Sequence, residues 1–460
     1  MVDGPSSAGN GAGNVGEILA VGTRAPGSGR VQIDVPAKPG EPTLRWRSRV
    51  HTIPEIEQEL ARIWAEPNLE TMIEGEPGRH VAARTSVMNL VVVARRPEVG
   101  ERSAATIQLL TGRHPSRTMI VSAADPDGPS WLDAQIQAHC VLPRDDAPEI
   151  CAELIYLTVG GESGRHLDAI VAPLLIHDLP VTIWWPEEPP FGKSQAMDLL
   201  STADRLVVDG SGWSEDGLRR LRQLAGLLDT TMLSIRDFAL VRQSRWREAI
   251  ASIFDMPEFL PYLPSIRRIA VTYATHDDSG SPGSTNVVKP VYHVAWLASR
   301  LGMRVHKPLA TNDGARRPAT RRASPPARGG SPHMSRGLSA TLGNGRLDVS
   351  VVVRPVLSDM PSGTTLRVEL LSERRGSELR ADVTAEQESV HVRVWVDGVE
   401  ELDRGFSAPR RNDVDLLAEA IESGSRDPIS DETLRMAADL VGPDAERPKL
   451  AQPVSMGASA

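Results

Sequence analysis

The chain has few cysteines and few aromatic side chains. Cys140 and Cys151 are the only cysteines in 460 residues, which excludes a fold stapled by several disulfides and a metal site built from several thiolates. We expect two buried, reduced thiols, with a redox switch as the alternative. Aromatic residues make up 4% of the chain, yet nine of them are tryptophans, which are frequent in protein interfaces.

Long apolar runs and an excess of positive charge are also missing. Apolar segments such as 86–94 have the length of a strand, whereas a membrane-spanning helix needs about 20 residues. The 51 basic and 60 acidic residues give a net charge of −9, which argues against nucleic acid as the main partner. Residues 1–30 are Gly/Ser-rich and lack the apolar centre of a secretory signal. We therefore expect a cytoplasmic protein with no membrane and no nucleic-acid partner.

The sequence lacks the motifs that mark common catalytic sites. There is no GxSxG nucleophile turn, no CxxC and no HExxH, and the histidines are scattered without a convincing metal-ligand spacing. Glu187 and Glu188 are adjacent on a predicted loop, so their carboxylates need not converge on one substrate atom. The sequence therefore predicts no catalytic residue, no metal site and no cofactor.

Composition divides the chain into five predicted parts. In chain order these are a disordered tail (1–42), an α/β domain (43–306), a basic Pro/Gly-rich linker (307–337), a smaller α+β domain (338–442) and a second tail (443–460). The basic segment is interpreted as a plain linker, with a flexible arm for an acidic surface as the alternative. Nucleic-acid binding by its arginines is less favoured, because no aromatic side chains are interleaved with them.

Two different periodicities predict the fold class. Between residues 53 and 301, short apolar runs alternate with helical patterns, which predicts an α/β domain with a mainly parallel sheet and helices on both faces. The predicted helices include 53–64, 98–111, 165–177, 215–228, 242–254 and 291–301, and the predicted strands include 86–94, 117–122, 180–185, 204–209 and 266–274. After residue 337 a period of two predicts an antiparallel meander with one wet face, followed by two helices.

Three polar loops follow predicted strands directly, and ligands of such sheets gather beyond the carboxyl ends of the strands. The candidate ligand or partner rim that they form comprises Arg165, His166, Trp184, Trp185, Lys193, Ser211 and Trp213. The loop before Arg165 is Gly-rich and opens a predicted helix, so it is either an anion site or a simple connector. The two adjacent tryptophans point to opposite faces of a strand, so one of them is a candidate for partner contact.

A fourth polar segment precedes a strand instead of following one. His114, Pro115, Ser116 and Arg117 lie between a predicted helix and strand 117–122, at the edge opposite the expected ligand rim. Basic side chains near a helix C-terminus complement its dipole, so a capping turn is the simplest interpretation.

Several of these segments together resemble a known family. RHPSRTMIVSA, LDAQIQ, APLLIHDLPVTIWWPEEPP, SRWREAIA and VAWLASRLG occur in the same order in OpcA proteins, which are associated with the assembly of glucose-6-phosphate dehydrogenase. The resemblance runs from about residue 53 to 301. It implies a non-catalytic subunit that activates the NADP-dependent dehydrogenase at the entry of the oxidative pentose phosphate pathway. It assigns no role to His114–Arg117 or to the tryptophan pair, which are its signatures here.

Two functions are therefore open at this point. In the first, the chain binds glucose-6-phosphate dehydrogenase as an assembly factor and allosteric activator and promotes its active oligomer. In the second, it is a sugar-phosphate-binding enzyme or sensor that uses the rim of the α/β sheet formed by Arg165, His166, Trp185, Lys193 and Ser211.

Overall fold

A computed structural model describes most of the chain. The described residues are 31–32, 39–65, 70–72, 79–81, 83–84, 86–124, 127–144, 149–276, 285–312, 337–345, 347–386, 388–423 and 426–443. Most of the predicted tail 1–42, residues 313–336 of the predicted linker and nearly all of the predicted tail 443–460 lie outside these ranges.

The described ranges contain twenty strands and ten α-helices. The strands are β1 (Val31–Gln32), β2 (Pro42–Val50), β3 (Glu70–Met72), β4 (Arg79–Val81), β5 (Ala83–Arg84), β6 (Met88–Val93), β7 (Ser116–Ala124), β8 (Trp131–Val141), β9 (Ile150–Gly160), β10 (Val181–Trp185), β11 (Arg205–Val208), β12 (Ser234–Asp237), β13 (Ile266–Thr275), β14 (Arg304–Asn312), β15 (Gly337–Gly343), β16 (Asp348–Leu357), β17 (Thr365–Arg374), β18 (Ser377–Ala385), β19 (Ser389–Val396) and β20 (Val399–Ser407). The helices are α1 (Ile53–Ala65), α2 (Pro97–Leu110), α3 (Leu167–Val171), α4 (Ser194–Leu200), α5 (Leu218–Thr230), α6 (Phe238–Val241), α7 (Ser244–Phe254), α8 (Val288–Arg300), α9 (Asp413–Glu422) and α10 (Pro428–Val441). None of these helices is both long and apolar enough to cross a membrane.

The first sheet is mainly parallel, which confirms the predicted α/β class. Its strand order is β1-β2-β8-β9-β7-β6-β10-β11-β12, with β5 also paired to β9. All neighbours from β9 to β12 along this path run parallel. Numbered by their order in the chain, these six strands lie in the order 3-2-1-4-5-6, which is that of a Rossmann sheet. The order reverses between β6 and β10, and this switch point is where such sheets open a crevice.

The second sheet has eight strands and contains the predicted meander. Its order is β14-β15-β16-β13-β17-β18-β19-β20, and only β13 and β16 run parallel within it. Val390, Val392 and Val394 on β19 are buried, whereas Arg393 between them is exposed, so one face of the meander is apolar as predicted. The sheet also takes in β13, which the sequence pattern placed among the strands of the first domain, and β14, which includes residues 307–312 of the predicted linker.

Both faces of the first sheet are covered by helices. On one face, Val92 and Trp184 pack with residues of α2 and with Leu416 and Leu417 of α9. On the other face, Ile183 belongs to the large core that includes α1, α5 and α8 and continues into the second sheet. Helix α9 and the following α10, which packs on α5 and α8, therefore return from the C-terminal end of the chain to the first sheet.

Two arginines, one on the first sheet and one between α9 and α10, hold this return in place. Arg205 of β11 donates from its guanidinium to the carbonyl oxygens of Ile421 and Ser423, both at 2.9 Å, at the C-terminal end of α9. Arg426, between α9 and α10, donates to the carbonyl of Thr231 at 2.6 Å. Charge-assisted bonds to backbone oxygens are stronger than neutral ones. The return is thus tied to β11 and to the C-terminal end of α5 through several directed contacts.

One predicted helix is shorter than expected. The pattern predicted a helix over 165–177, but α3 spans only Leu167–Val171 and is flanked by 3₁₀ turns over Gly161–Arg165 and Ala172–Leu174. Pro173 has no backbone N–H, so the chain cannot continue the i to i−4 hydrogen bonding there. The apolar periodicity that suggested a longer helix reflects packing of the turns on the core.

The prediction of two reduced thiols is wrong. Cys140 and Cys151 form a disulfide between β8 and β9, with their Cα atoms 4.0 Å apart. The two residues are directly opposite each other in the antiparallel register, which is the reason that they can bond. Glu149 lies beside the sulfur atoms but pairs with Arg45 at 2.6 Å. In this state the group offers no free thiolate to a metal.

Candidate functional site

The switch point between β6 and β10 opens a cavity of about 650 Å³, here named the switch-point cavity. The turn between β6 and α2 lines one side with Arg95 and Arg96, and the loop after β10 lines the next with Glu187 and Glu188. Trp184 and Phe238 form an apolar wall, with ring centroids 6.1 Å apart. The cavity thus lies where a Rossmann sheet places its ligand.

Glu187 occupies the turn that leads into α2. Its Oε2 atom accepts hydrogen bonds from the backbone N–H of Arg95 at 2.6 Å and of Arg96 at 3.3 Å, and Oε1 accepts from the Arg96 guanidinium at 2.8 Å. Burial raises the pKa of Glu187, but these hydrogen bonds outweigh burial and lower the pKa below its usual value. A carboxylate of the protein therefore occupies the helix entrance that binds phosphate in nucleotide-binding sheets. Pro97, the first residue of α2, removes one further donor.

Glu188 is equally committed to partners within the chain. It accepts from the backbone N–H of Ser214 at 2.9 Å, from the Ser214 hydroxyl at 2.5 Å and from the Arg220 guanidinium at 2.5 Å. Burial raises its pKa, yet the Ser214 and Arg220 hydrogen bonds prevail and lower the pKa to about 2. A carboxylate this acidic is a poor general base near neutral pH.

A second network closes the far side of the cavity. Arg242 donates to Asp209 at 2.7 Å, to the Ser211 hydroxyl at 3.2 Å and to Asp413 of α9 at 3.3 Å. The Ser211 hydroxyl donates to Asp209 at 2.6 Å. The Arg242 guanidinium lies 5.7 Å from the Phe238 ring centroid, a cation–π distance. The network joins the end of β11 to the C-terminal helices.

Beneath this network lies a fully buried carboxyl group at the end of β12. Asp237 accepts from the N–H groups of Gly210 and Ala239, each at 2.8 Å, and from the Tyr292 hydroxyl at 2.7 Å. Burial, and next the charge of Asp209, raise the pKa of Asp237 to about 6 despite these bonds. The group fixes the turn after β11 to α8, so its role within the described residues is structural.

The charge around the switch-point cavity does not suit a polyphosphate. Three arginines face four carboxylates, a formal balance of 3 − 4 = −1, the seven residues being Arg95, Arg96, Arg102, Glu187, Glu188, Asp209 and Asp413. Dinucleotide sites instead offer free backbone N–H groups and little negative charge to the pyrophosphate. The cavity retains the shape of a Rossmann crevice without the electrostatics of a nucleotide site.

The structure brings only part of the predicted rim together. Trp184 lines the switch-point cavity, and Ser211 lies in the Arg242 network beside it. Trp185 and Trp213 are buried in the core on the other face. Trp184 is 2% exposed and Trp185 4% exposed, so within this chain both indoles of the pair are covered.

The remaining rim residues lie on the surface apart from the cavity. Arg165 and His166 follow β9, which is separated from β10 by β7 and β6. Both pair with Glu162, at 3.2 Å and 3.3 Å. Lys193 is exposed at the start of α4. The predicted rim exists as an edge of the sheet, but its basic residues do not converge on one pocket of the described structure.

The signature segment at the opposite edge makes structural contacts. Arg117 forms an ion pair with buried Glu153 and donates to the carbonyl of Leu174 at 2.9 Å, so it joins β7, β9 and the turn after α3. His114 lies 3.1 Å from Glu422 of α9. The Ser116 and Thr118 hydroxyls are hydrogen-bonded at 2.9 Å.

Four members of the site were not predicted from the sequence: Arg95, Arg96, Asp209 and Arg242. A signal for the first two was present, because Arg95 and Arg96 directly follow the predicted strand 86–94, to which the rule of strand ends applies as well. No sequence signal marked Arg242, which reaches the site only because α6 folds back over β11 and β12.

Comparison with known proteins adds two family models and one curated relative. The model described as the glucose-6-phosphate dehydrogenase subunit N-terminal domain matches residues 108–225, and the corresponding C-terminal domain model matches residues 233–434. A Synechocystis sp. protein described as the OxPP cycle protein OpcA is 28% identical over 187 residues, 40% of this chain. The match spans only about a third of that relative, 36% of its length.

Solved structures with a related chain path are oxidoreductases. A 3-ketoreductase from Actinomadura kijaniata, KijD10, is 12% identical with a TM-score of 0.41, covering 77% of this chain and 96% of its own. An NAD-binding oxidoreductase from Klebsiella pneumoniae is 9% identical with a TM-score of 0.42, covering 78% of this chain and 98% of its own. These scores are too low to bear on function. The two matched family models, in chain order over most of the described residues, show that this chain belongs to the OpcA family.

Proposed function

We propose that the chain is a non-catalytic subunit that binds glucose-6-phosphate dehydrogenase in the cytoplasm and promotes its active oligomer. It would thereby act in the oxidative pentose phosphate pathway, as the description of its Synechocystis relative suggests for that protein. The observation that carries the proposal is the match to both domains of a dehydrogenase subunit family. Activation would require that the chain bind the active form of the dehydrogenase more tightly than the inactive form.

The chemistry of the switch-point cavity supports a role without turnover. Each of its four carboxylates, Glu187, Glu188, Asp209 and Asp413, already accepts hydrogen bonds from the chain's own donors. A general base needs a carboxylate within reach of a substrate proton and a pKa near the working pH. The hydrogen bonds from Arg96 to Glu187, and those from Ser214 and Arg220 to Glu188, give the opposite, since they lower both pKa values.

The decisive experiment mixes the purified chain with the dehydrogenase from the same organism. We expect a rise in the rate of NADPH formation or in substrate affinity, together with a larger molar mass by light scattering. An unrelated acidic protein at equal concentration is the control. If neither the kinetics nor the mass of the dehydrogenase changes, or if the chain alone reduces NADP with glucose-6-phosphate, the proposal fails.

The basic segment offers a matched variant for the same assay. Asn312 and Gly337, at the ends of 313–336, are paired in the antiparallel register of β14 and β15. A short Gly/Ser turn can therefore replace 313–336 without moving either strand. If the segment is an arm that captures an acidic surface, the shortened chain binds the dehydrogenase more weakly and with less salt dependence. Unchanged binding identifies the segment as a linker.

A further inference from the structure

A second cavity lies between helices α7 and α8 and the second sheet. Its volume is about 740 Å³, within the usual range of small-molecule sites. Trp246 of α7 and His293 of α8 line one side, with ring centroids 5.1 Å apart, and Thr365 of β17 lines another. We name it the helix–sheet cavity. It is separate from the switch-point cavity. Arg242 lines the helix–sheet cavity and also donates to Asp209, which lines the switch-point cavity.

Buried polar atoms without partners surround this cavity. Both ring nitrogens of His293, Oε1 of Gln243 and Oγ1 of Thr365 have no hydrogen-bond partner among the described residues. His293 is 1% exposed, Gln243 3% and Thr365 5%. An unsatisfied buried polar group destabilises the folded state, so four such atoms around one cavity are unfavourable unless a ligand satisfies them.

These atoms suit a neutral, hydroxyl-bearing ligand body. Burial, together with the nearby charges of Arg247 and Lys289, lowers the pKa of His293 to about 3, so the ring is neutral at pH 7. A neutral imidazole offers one donor and one acceptor, and a threonine hydroxyl offers both. Several adjacent hydroxyl groups would match this set, and the half-buried indole of Trp246 supplies an apolar wall beside it.

Positively charged side chains outnumber carboxylates around the helix–sheet cavity. Five cations and three carboxylates line it, a formal balance of 5 − 3 = +2, the eight residues being Arg242, Arg245, Lys289, Arg410, Arg411, Glu248, Glu386 and Glu419. Arg242 is already paired with Asp209 outside this cavity, which leaves four cations and three carboxylates, a balance of 4 − 3 = +1, for a ligand. Arg245 pairs with Glu248 at 2.7 Å, and Arg411 pairs with Glu419 at 2.5 Å.

Two of the cations have no carboxylate within ion-pair distance in the described part of the chain. Lys289 makes no side-chain ion pair there, and the Arg410 guanidinium donates to the Met360 sulfur at 3.7 Å. Burial, and next the charges of Arg242 and Arg410, lower the pKa of Lys289. A bound anion would reverse the effect of these charges.

We propose that the helix–sheet cavity binds the phosphate monoester of a small polyhydroxylated molecule. The phosphate would lie between Lys289 and Arg410, and the hydroxylated body would meet His293, Gln243 and Thr365. A phosphate monoester carries a charge of about −1.5 to −2 at pH 7, which matches the charges of Lys289 and Arg410 together better than a single carboxylate does. The site belongs to this chain alone, so it does not depend on the proposed dehydrogenase partner.

Isothermal titration of the full chain, without dehydrogenase, tests the site. The probes are glucose-6-phosphate as a hydroxylated phosphate ester, inorganic phosphate, and glucose. We expect glucose-6-phosphate to bind more tightly than inorganic phosphate by tenfold or more, and glucose to give no measurable heat. Absence of binding by any phosphate probe at millimolar concentration overturns the proposal. Equal affinity for phosphate and its ester overturns the part that assigns the hydroxylated body.

Three variants locate the site. Lys289→Met should weaken both phosphate probes at least tenfold, and Arg410→Gln, at an exposed position, should weaken both without disturbing the core. Thr365→Val keeps the side-chain shape and should weaken only the ester. Lys193→Met, an exposed lysine on the rim of the first sheet, is the matched control and should bind as the unmodified chain does. If Lys193→Met abolishes binding and Arg410→Gln does not, the site lies on the rim and the proposal is wrong. Thermal unfolding of each variant checks that it is folded.

Discussion

The carboxylate at the entrance of α2 makes the anion-site interpretation testable. Glu187→Ala removes the acceptor for the N–H groups of Arg95 and Arg96 and for the Arg96 guanidinium. The Glu187 side chain is 8% exposed, whereas that of Arg96 is 62% exposed. The two backbone bonds therefore contribute most, and the ion pair with a largely solvated arginine adds less than about 1 kcal/mol.

The expected loss is about 2 kcal/mol of unfolding free energy, at about 1 kcal/mol for each backbone bond. Unfolding entropy is about 2.1 cal/mol/K per residue, which gives about 1 kcal/mol/K for the chain of 460 residues. The melting temperature should therefore fall by about 2 °C in calorimetry. Glu162→Ala, which removes an exposed carboxylate paired with Arg165 and His166, is the control and should change it by much less.

Two further measurements separate the anion site from a general loss of packing. Sulfate at tenfold excess over its dissociation constant should raise the unfolding free energy of Glu187→Ala by about 1.4 kcal/mol more than it raises that of the unmodified chain. The reason is that the freed N–H groups of the variant can donate hydrogen bonds to the anion. The pKa of Glu187 is lowered, so its stabilisation is present above the ordinary carboxyl pKa and is lost as pH falls through the lowered value. The difference in unfolding free energy between the unmodified chain and Glu187→Ala should disappear at acid pH. If sulfate does not stabilise the variant more than the unmodified chain, and the difference in unfolding free energy persists at acid pH, the assignment is refuted.

Three other outcomes follow from single contacts. Reduction of the Cys140–Cys151 disulfide, or Cys140→Ser, should lower the unfolding free energy by about 2–3 kcal/mol, as expected for a cross-link spanning 11 residues. Urea unfolding curves that are the same with and without reductant would contradict this. Burial raises the pKa of Asp237 to about 6, so its stabilisation is complete below the ordinary carboxyl pKa and is lost as pH rises through 6. Relative to Asp237→Asn, the unmodified chain should lose about 3 kcal/mol between pH 4 and 7, and parallel stability curves would argue against the raised pKa. Arg117→Ala leaves buried Glu153 without its arginine and should cost about 3 kcal/mol, part of which Glu153→Gln in the same chain restores; if the second change adds to the loss, the ion pair is not the cause.

The sequence predicted the architecture better than the site. Apolar runs such as 86–94 are buried on both sides, so their strands could be recognised without knowing the strand order. The same property explains why β13 was predicted in the first domain although it pairs with β16 in the second sheet. A buried apolar strand has the same sequence pattern in either sheet. Pro173 shortened a helix whose periodicity suggested more turns.

The site depended on information that local patterns do not contain. Strand ends share an edge only in the order in which the strands lie, and β9 lies three positions from β10, so Arg165 and Trp184 are apart. Arg242 and Asp413 meet across 171 residues of sequence. The opposition of Cys140 and Cys151 required the register of β8 and β9, which the spacing of two cysteines does not fix.

The return of α9 also constrains how the protein is made. Leu416 and Leu417 are fully buried against the face of the first sheet that carries Trp184, yet they are translated after every described strand of both sheets. A growing polypeptide therefore emerges from the ribosome with the part of this face that α9 covers still open to water, although α2 already covers the rest. Chaperone binding during synthesis should accordingly persist until α9 has emerged, and a stop codon ahead of α9 should yield insoluble protein even though both sheets are encoded upstream.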